Sequence, residues 1–226
     1  MQDELALIAQ NDILRVAINT GNRALVQNDG GKLAGVSPAL AQRLVDRLGV
    51  TFEPVIYTGA GKVFADASSD RWDVAFLAID ETRARQISFT RPYHVIEATY
   101  AVRSHAPFQQ VSDADRRGVT ILTATGSAYD MYLSKTLKNA HLEHSGTPPE
   151  SFEDFRDGRG DLVAGVRASL ESYFCGDGGF RILPGVLTQV SQAMVLAGRD
   201  NPLIAALDAF VEEAIGDGFV AKNLGI

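Results

Sequence analysis

The chain has 226 residues, 46% hydrophobic and 22% charged, proportions of a globular protein rather than a disordered one. Its 28 Asp and Glu outweigh 21 Lys and Arg to leave a formal charge of −7; an acidic chain with no basic stripe is a poor partner for nucleic acid or a membrane surface. The lone cysteine, Cys175, excludes an intramolecular disulfide and a cysteine-based metal cluster, and no apolar run reaches the ~18–20 residues of a membrane helix.

The N-terminus, Met1-Gln2-Asp3-Glu4, lacks the basic and apolar parts of a signal peptide. Two readings stay open, a cytoplasmic protein and a mature exported chain. Residues 13–18 (ILRVAI) form a β-rich apolar run that predicts a buried strand. A loop rich in Asn, Gly and Asp follows. Ser37-Pro38 reads as an N-cap with proline at the first helical position. Ala41, Leu44, Val45 and Leu48 then give the stripe of an amphipathic helix, which Gly49 can end. Residues 51–57 predict a strand and 62–67 a short helix. The run 72–79 (WDVAFLAI) is too continuous for a strand with one wet face and predicts a central strand of a covered sheet. This order argues a parallel α/β sheet with right-handed crossovers.

The second half repeats the grammar, with strands at 119–123, 140–144 and 161–166 and helices at 128–137 and 151–157. Residues 99–103 and 193–197 are strand-like stretches at either end of it. A last stripe, from Leu203 through Phe210 and Val211 to Ala214, predicts a C-terminal helix closed at 216–218. That helix needs a core, and the first half has the spare one. The four histidines make no metal set: His141 and His144 fall in a strand, where residues three apart face opposite ways. Cys175 sits in a glycine-rich stretch with no obvious base, and no G-x-S-x-G elbow exists.

Several motifs stand in register with one family. Asp73-Val74-Ala75-Phe76-Leu77-Ala78-Ile79, then Arg83, then Ile87-Ser88-Phe89-Thr90-Arg91-Pro92-Tyr93 resembles the bacterial family 3 extracellular solute-binding proteins, the polar amino-acid-type receptors of ABC importers. Leu14-Arg15-Val16-Ala17 is similar to that family's opening strand and Gly31-Lys32-Leu33-Ala34-Gly35-Val36 to its G-x-L-x-G-F segment. Gly126-Ser127-Ala128 stands where its second lobe carries GTT, and Gly158-Arg159-Gly160-Asp161 looks like GrvDA. The resemblance spans residues 13 to 220. It implies a type II periplasmic-binding-protein clamshell of two α/β lobes with two hinge strands and the ligand in the cleft. The expected lobes are 1–100 plus 195–226 and 105–190, with hinges near 99–103 and 193–197. It also implies a periplasmic protein, a small-molecule ligand, an importer permease as partner, a monomeric receptor and no cofactor.

The candidate binding residues follow from both sources. Arg83 matches the family's ligand-gripping arginine, and a buried guanidinium can hold a carboxylate through two parallel hydrogen bonds. Gly126, Ser127 and Ala128 open a helix, whose free N–H groups favour an anion. Asn22 and Arg23 follow the first strand, although the family usually has an aromatic residue at the Asn22 position. Phe76 can supply an apolar wall. Ala78 stands where a hydroxyl residue often helps, and Val166 stands where amino-acid binders carry the aspartate that pairs with the α-ammonium. Arg167 and Glu97 complete the set. The expected ligand is a small carboxylate or amino-acid-like anion, with ordinary α-amino acids disfavoured by Val166. Two alternatives stay open on the same scaffold: a dehydratase-like enzyme, for which Glu97 is the remaining acid–base candidate, and a ligand sensor acting in trans.

Overall fold

In the computed structural model residues 2–224 are described, without the side chains of Gln2, Asp3 and Asp29. Met1, Gly225 and Ile226, which the predicted first lobe includes, lie outside the described residues.

The elements run α1 (Gln2–Ala6), β1 (Ile13–Asn19), β2 (Gln27–Asp29), β3 (Lys32–Ala34), α2 (Val36–Leu48), β4 (Thr51–Tyr57), α3 (Ala60–Ala65) and β5 (Val74–Ala78). A 3-10 turn (Arg83–Arg85), β6 (Ile87–Phe89) and the ten-residue strand β7 (His94–Arg103) complete the first half. The second half holds β8 (Thr120–Ala124), α4 (Ala128–Thr136), β9 (His141–Ser145), α5 (Pro148–Arg156), β10 (Leu162–Val166), α6 (Arg167–Tyr173), β11 (Phe180–Ile182) and the ten-residue β12 (Thr188–Ala197). The chain ends with α7 (Ile204–Gly216) and α8 (Phe219–Asn223).

β5 explains the first lobe. All of its residues are buried because β1 flanks it on one edge, β12 on the other, and helices cover both faces. One face packs β1, β5 and β12 against α2, α7 and α8 through Leu14, Val74, Leu40, Leu207 and Phe210. The other packs Ala17, Ala75 and Leu77 against Val63 of α3 and Trp72. The C-terminal helix therefore covers the first half, as its unpartnered stripe predicts. The second lobe repeats this arrangement. Tyr100, Ile121 and Leu162 meet Leu133 of α4 on one face, and Leu122 and Val163 meet Phe152, Phe155 and Leu170 of α5 and α6 on the other.

The strand order β4-β1-β5-β12-β7-β10-β8-β9 makes the two sheets continuous through β12 and β7. Pairings β1–β4, β1–β5, β8–β10 and β8–β9 are parallel. β7 and β12 are antiparallel to their neighbours and pair with each other over His94–Ala98 and Thr188–Gln192. Beyond that overlap, 99–103 pairs with β10 and β11, and 193–197 pairs with β5 and β6. The molecule is thus a two-lobed α/β clamshell of type II periplasmic-binding-protein form, joined through two long strands.

Three helix starts differ from the sequence reading. α3 begins at Ala60, after Gly59 as its N-cap, and not at 62. α2 begins at Val36 with Gly35 as its N-cap, so Ser37 lies in the first turn and not at the cap. Gly35 has φ +97°, and a Cβ there would stand 2.5 Å from the Leu25 carbonyl oxygen, so both conformation and space require glycine. α5 begins three residues earlier than the predicted 151, because Thr147 and Glu150 form a reciprocal capping box with proline at the first turn.

Candidate functional site

Parallel strands of both lobes end toward the same gap, the place where open α/β sheets bind ligands. A cavity of about 50 Å³ lies there. The first lobe contributes Asn19 at the end of β1, Gly21 and Asn22 from the β1–β2 loop, Phe76 and Ala78 from β5, and Arg83 from the turn after it. The second contributes Ser127, Ala128 and Tyr129 at the start of α4, Val166 at the end of β10, and Ser169 of α6. Ile96, Val190 and Gln192 enter from the overlapping part of β7 and β12.

Arg83 dominates the chemistry. It is 1% exposed. Its guanidinium donates to the Ala78 carbonyl at 3.1 Å within its own lobe and to the Gly126 carbonyl at 2.7 Å across the cleft. The Phe64 ring centroid lies 5.9 Å from its Cζ. Nε has no hydrogen-bond partner. Both acceptors are neutral, so two of the five N–H donors are used and the charge is uncompensated. Burial pushes its pKa down to about 10, opposed only by the charge of Asp80; Arg83 remains a cation at neutral pH. Asp80 is committed elsewhere. Burial pushes its carboxyl up, but the N–H groups of Thr82 and Arg83 and the ammonium of Lys135 bring it below the usual range.

The opposing wall is the start of α4. Ser127 caps it, its Oγ accepting the Asp130 N–H at 3.1 Å. Asp130, 6% exposed, accepts the Gly126 N–H at 2.8 Å and meets His144 Nε2 at 3.0 Å on its other oxygen. Asp130 therefore fixes the turn whose carbonyl reaches Arg83. Desolvation raises its pKa, against the lowering effects of Gly126 and His144. A raised carboxyl pKa costs stability above the folded value and nothing below the unfolded one. Asp130→Asn keeps an acceptor for Gly126 while removing the charge. Its melting temperature should exceed wild type at pH 7, and the gap should close as pH falls below about 3.9, the ordinary aspartate value. Thermal melts of both proteins across pH 3–8 check this.

Of the predicted residues, Asn22, Phe76, Ala78, Arg83, Ser127 and Ala128 line the cavity. Gly126 joins through its carbonyl. Arg23, Arg167 and Glu97 do not line it. Arg23 is exposed at the outer mouth, where its N–H donates to Ser169 Oγ at 3.0 Å. Arg167 turns to the carbonyls of Leu183 and Gly185 and to Glu97, 3.4 Å from its Nε. Glu97 adjoins Ile96 on β7, and alternation sends it to the opposite face from that cavity-lining residue. Val166 does line the cavity, so the position carries an apolar side chain in the wall itself.

Ser37, Ser169 and Gln192 were not among the predicted set. Ser37 Oγ meets the buried Tyr93 hydroxyl at 3.0 Å. Ser169 bridges the lobes, donating to the Gly21 carbonyl at 3.3 Å. Gln192 is 4% exposed, and a polar residue in an alternating strand was the available signal.

The model of the bacterial extracellular solute-binding proteins, family 3, matches residues 14–224. Among solved structures, the solute receptor for L-cysteine of Neisseria gonorrhoeae superposes with a TM-score of 0.85 at 20% identity, covering 97% of this chain and 91% of that one. A mutant of the arginine-binding protein of T. maritima gives 0.82 at 20% identity, covering 96% of each chain. The cysteine-binding protein of Campylobacter jejuni gives 0.82 at 20% identity, covering 98% and 90%. No curated protein sequence matches this chain. On the family match and the clamshell together, this chain belongs to the bacterial extracellular solute-binding proteins, family 3.

Proposed function

We propose that this protein is a periplasmic, monomeric receptor that closes around a small organic anion and presents it to an ABC importer. The observation that carries the reading is Arg83: a buried guanidinium in the interlobe cavity whose hydrogen bonds, among the described residues, go to neutral carbonyls. Burying an uncompensated charge costs several kcal/mol, and a carboxylate offered to Nε and the remaining Nη hydrogens supplies the counter-charge in a two-point geometry. The solved relatives support the class, since their names describe binding proteins for arginine and cysteine. The hinge in this reading is the overlap of 94–98 with 188–192, where, among the described residues, the strands of one lobe pair with those of the other. Receptor action is favoured over catalysis because no Asp, Glu, His or Lys stands among the described residues of the wall.

A thermal-shift screen of carboxylates, amino acids, amines and sugars tests it. A true ligand at 100 times its dissociation constant adds about 2.7 kcal/mol, roughly 5–10 °C for a chain of this size. Stabilisation by an amine or sugar alone would refute the anion; silence from every compound would refute the receptor.

A further inference from the structure

The cavity wall has an imbalance of charge that narrows the ligand. Arg83 is the single charged residue among the described residues that line it. The acids around the cavity are bound elsewhere: Asp80 to the N–H groups of Thr82 and Arg83 and to Lys135, Asp130 to Gly126 and His144, Glu97 to Arg167. The cations Arg23 and Arg167 stand outside the wall. The site therefore offers one positive charge, no negative charge, and no second cation. Its remaining surface is apolar at Leu25, Val26, Phe76, Ile96, Val166 and Val190.

Three buried polar atoms of the wall lack hydrogen-bond partners, Arg83 Nε, Asn22 Oδ1 and the Tyr129 hydroxyl. Buried polar groups are nearly always paired, so the first two state what the ligand must bring, an acceptor for the guanidinium and a donor for the Asn22 amide, while the Tyr129 hydroxyl can donate or accept and is met by either. An ammonium could donate to Asn22, but its charge would be buried with no acid to balance it and with Arg83 nearby. A hydroxyl donates without that charge. A second carboxylate would meet apolar side chains, neutral amides and hydroxyls, with no second cation to balance it. The room, about 50 Å³, fits roughly four water-sized groups.

We infer that the ligand is a small hydroxy monocarboxylate with an apolar tail and no amine, the carboxylate on Arg83 and the hydroxyl on Asn22. This rests on the receptor reading above and specifies its solute.

Calorimetry with two matched sets decides it: lactate, alanine and propionate, and 2-hydroxy-3-methylbutanoate, valine and 3-methylbutanoate. In at least one set the hydroxy acid should bind ten or more times tighter than the amino acid, and severalfold tighter than the unsubstituted acid, which leaves Asn22 unpaired. Asn22→Asp places an acid of the same shape at the orphaned oxygen. It should weaken the hydroxy acid and strengthen the amino acid, shrinking their ratio at least tenfold. An amino acid binding as tightly as its hydroxy partner in the wild type overturns the inference, as does an unchanged ratio in the variant. Failure of both hydroxy acids to bind, while another solute stabilises the protein in the thermal screen, overturns it too and leaves the receptor reading standing.

Discussion

Arg83→Met should reduce affinity for an anionic ligand by roughly 30-fold to several-thousand-fold while leaving the empty protein as stable as wild type or more so. The first half follows from truncating one partner of a buried charge pair, which costs about 2–5 kcal/mol, at 1.4 kcal/mol per decade. The second follows from the empty cleft. There the guanidinium gains two bonds to carbonyls but is buried without a counter-charge, and its pKa falls from the ordinary arginine range to about 10. That difference is on the order of 3 kcal/mol of cost to the charged form. A cation with a lowered folded pKa destabilises the fold at all pH values below that pKa, and the cost fades as pH rises through about 10 toward the ordinary arginine range. Methionine fills similar space without charge, so the loss of two hydrogen bonds is offset by the removal of this cost. Arg83→Lys keeps a charge but cannot reproduce the planar fork, and should fall between the two in affinity. Isothermal titration and thermal melts on the same samples separate binding from stability. A loss below about threefold in Arg83→Met would remove the guanidinium from the site.

The sequence made the lobes legible and the wall only partly so. β5 is readable because both of its faces are covered, which leaves an unbroken apolar run, and α2 and α7 announce themselves by their stripes, whereas the short helices α1, α6 and α8 do not. Short strands do not. β2, β3, β6 and β11 have three residues each, too few for a period to appear. The long strands β7 and β12 were seen only at their apolar C-terminal ends, 99–103 and 193–197. Their first halves alternate, with Val190 and Gln192 buried and Gln189 exposed, and it is this alternating part that reaches the cavity.

The site shows the same division. Arg83 stood out through a spacing, and Val166 through a departure from a pattern, because both are positions along the chain. Arg23, Glu97 and Arg167 were grouped with them on charge and on nearness to strand ends. Which way such side chains turn depends on neighbours remote in sequence. Leu183 and Gly185 take up the Arg167 guanidinium, and nothing local to residue 167 announces them. Ser169 joins the site only because α6 brings it against the loop after β1, 148 residues away.

Gly61→Ala should separate ligand docking from lobe closure. Gly61, in the first turn of α3, lies against the turn that opens α4 in the other lobe. A Cβ on Gly61 would stand 2.5 Å from the Thr125 carbonyl oxygen and 3.2 Å from Gly126 Cα. These are backbone atoms of a turn held by Asp130 and Ser145, since Gly126 N–H donates to the first and Thr125 N–H to the carbonyl of the second. They have little freedom to yield, so the methyl group must be accommodated by keeping the lobes apart. The facing residue, Gly126, has φ +70° and would itself place a Cβ 2.9 Å from Gly61 Cα. Close approach here is what brings the Gly126 carbonyl to Arg83. Alanine is a better helix former than glycine by about 1 kcal/mol, so α3 and the first lobe should lose no stability. With the lobes held apart, a ligand keeps its contacts to the first lobe and loses those to the second. Affinity should drop about a hundredfold or more, about 2.8 kcal/mol at 1.4 kcal/mol per decade. Small-angle scattering at saturating ligand reads the geometry directly: wild type should contract on binding, whereas Gly61→Ala should retain the dimensions of its empty form. If the variant contracts as wild type does and binds with unchanged affinity, the contact between these two glycines plays no part in closure.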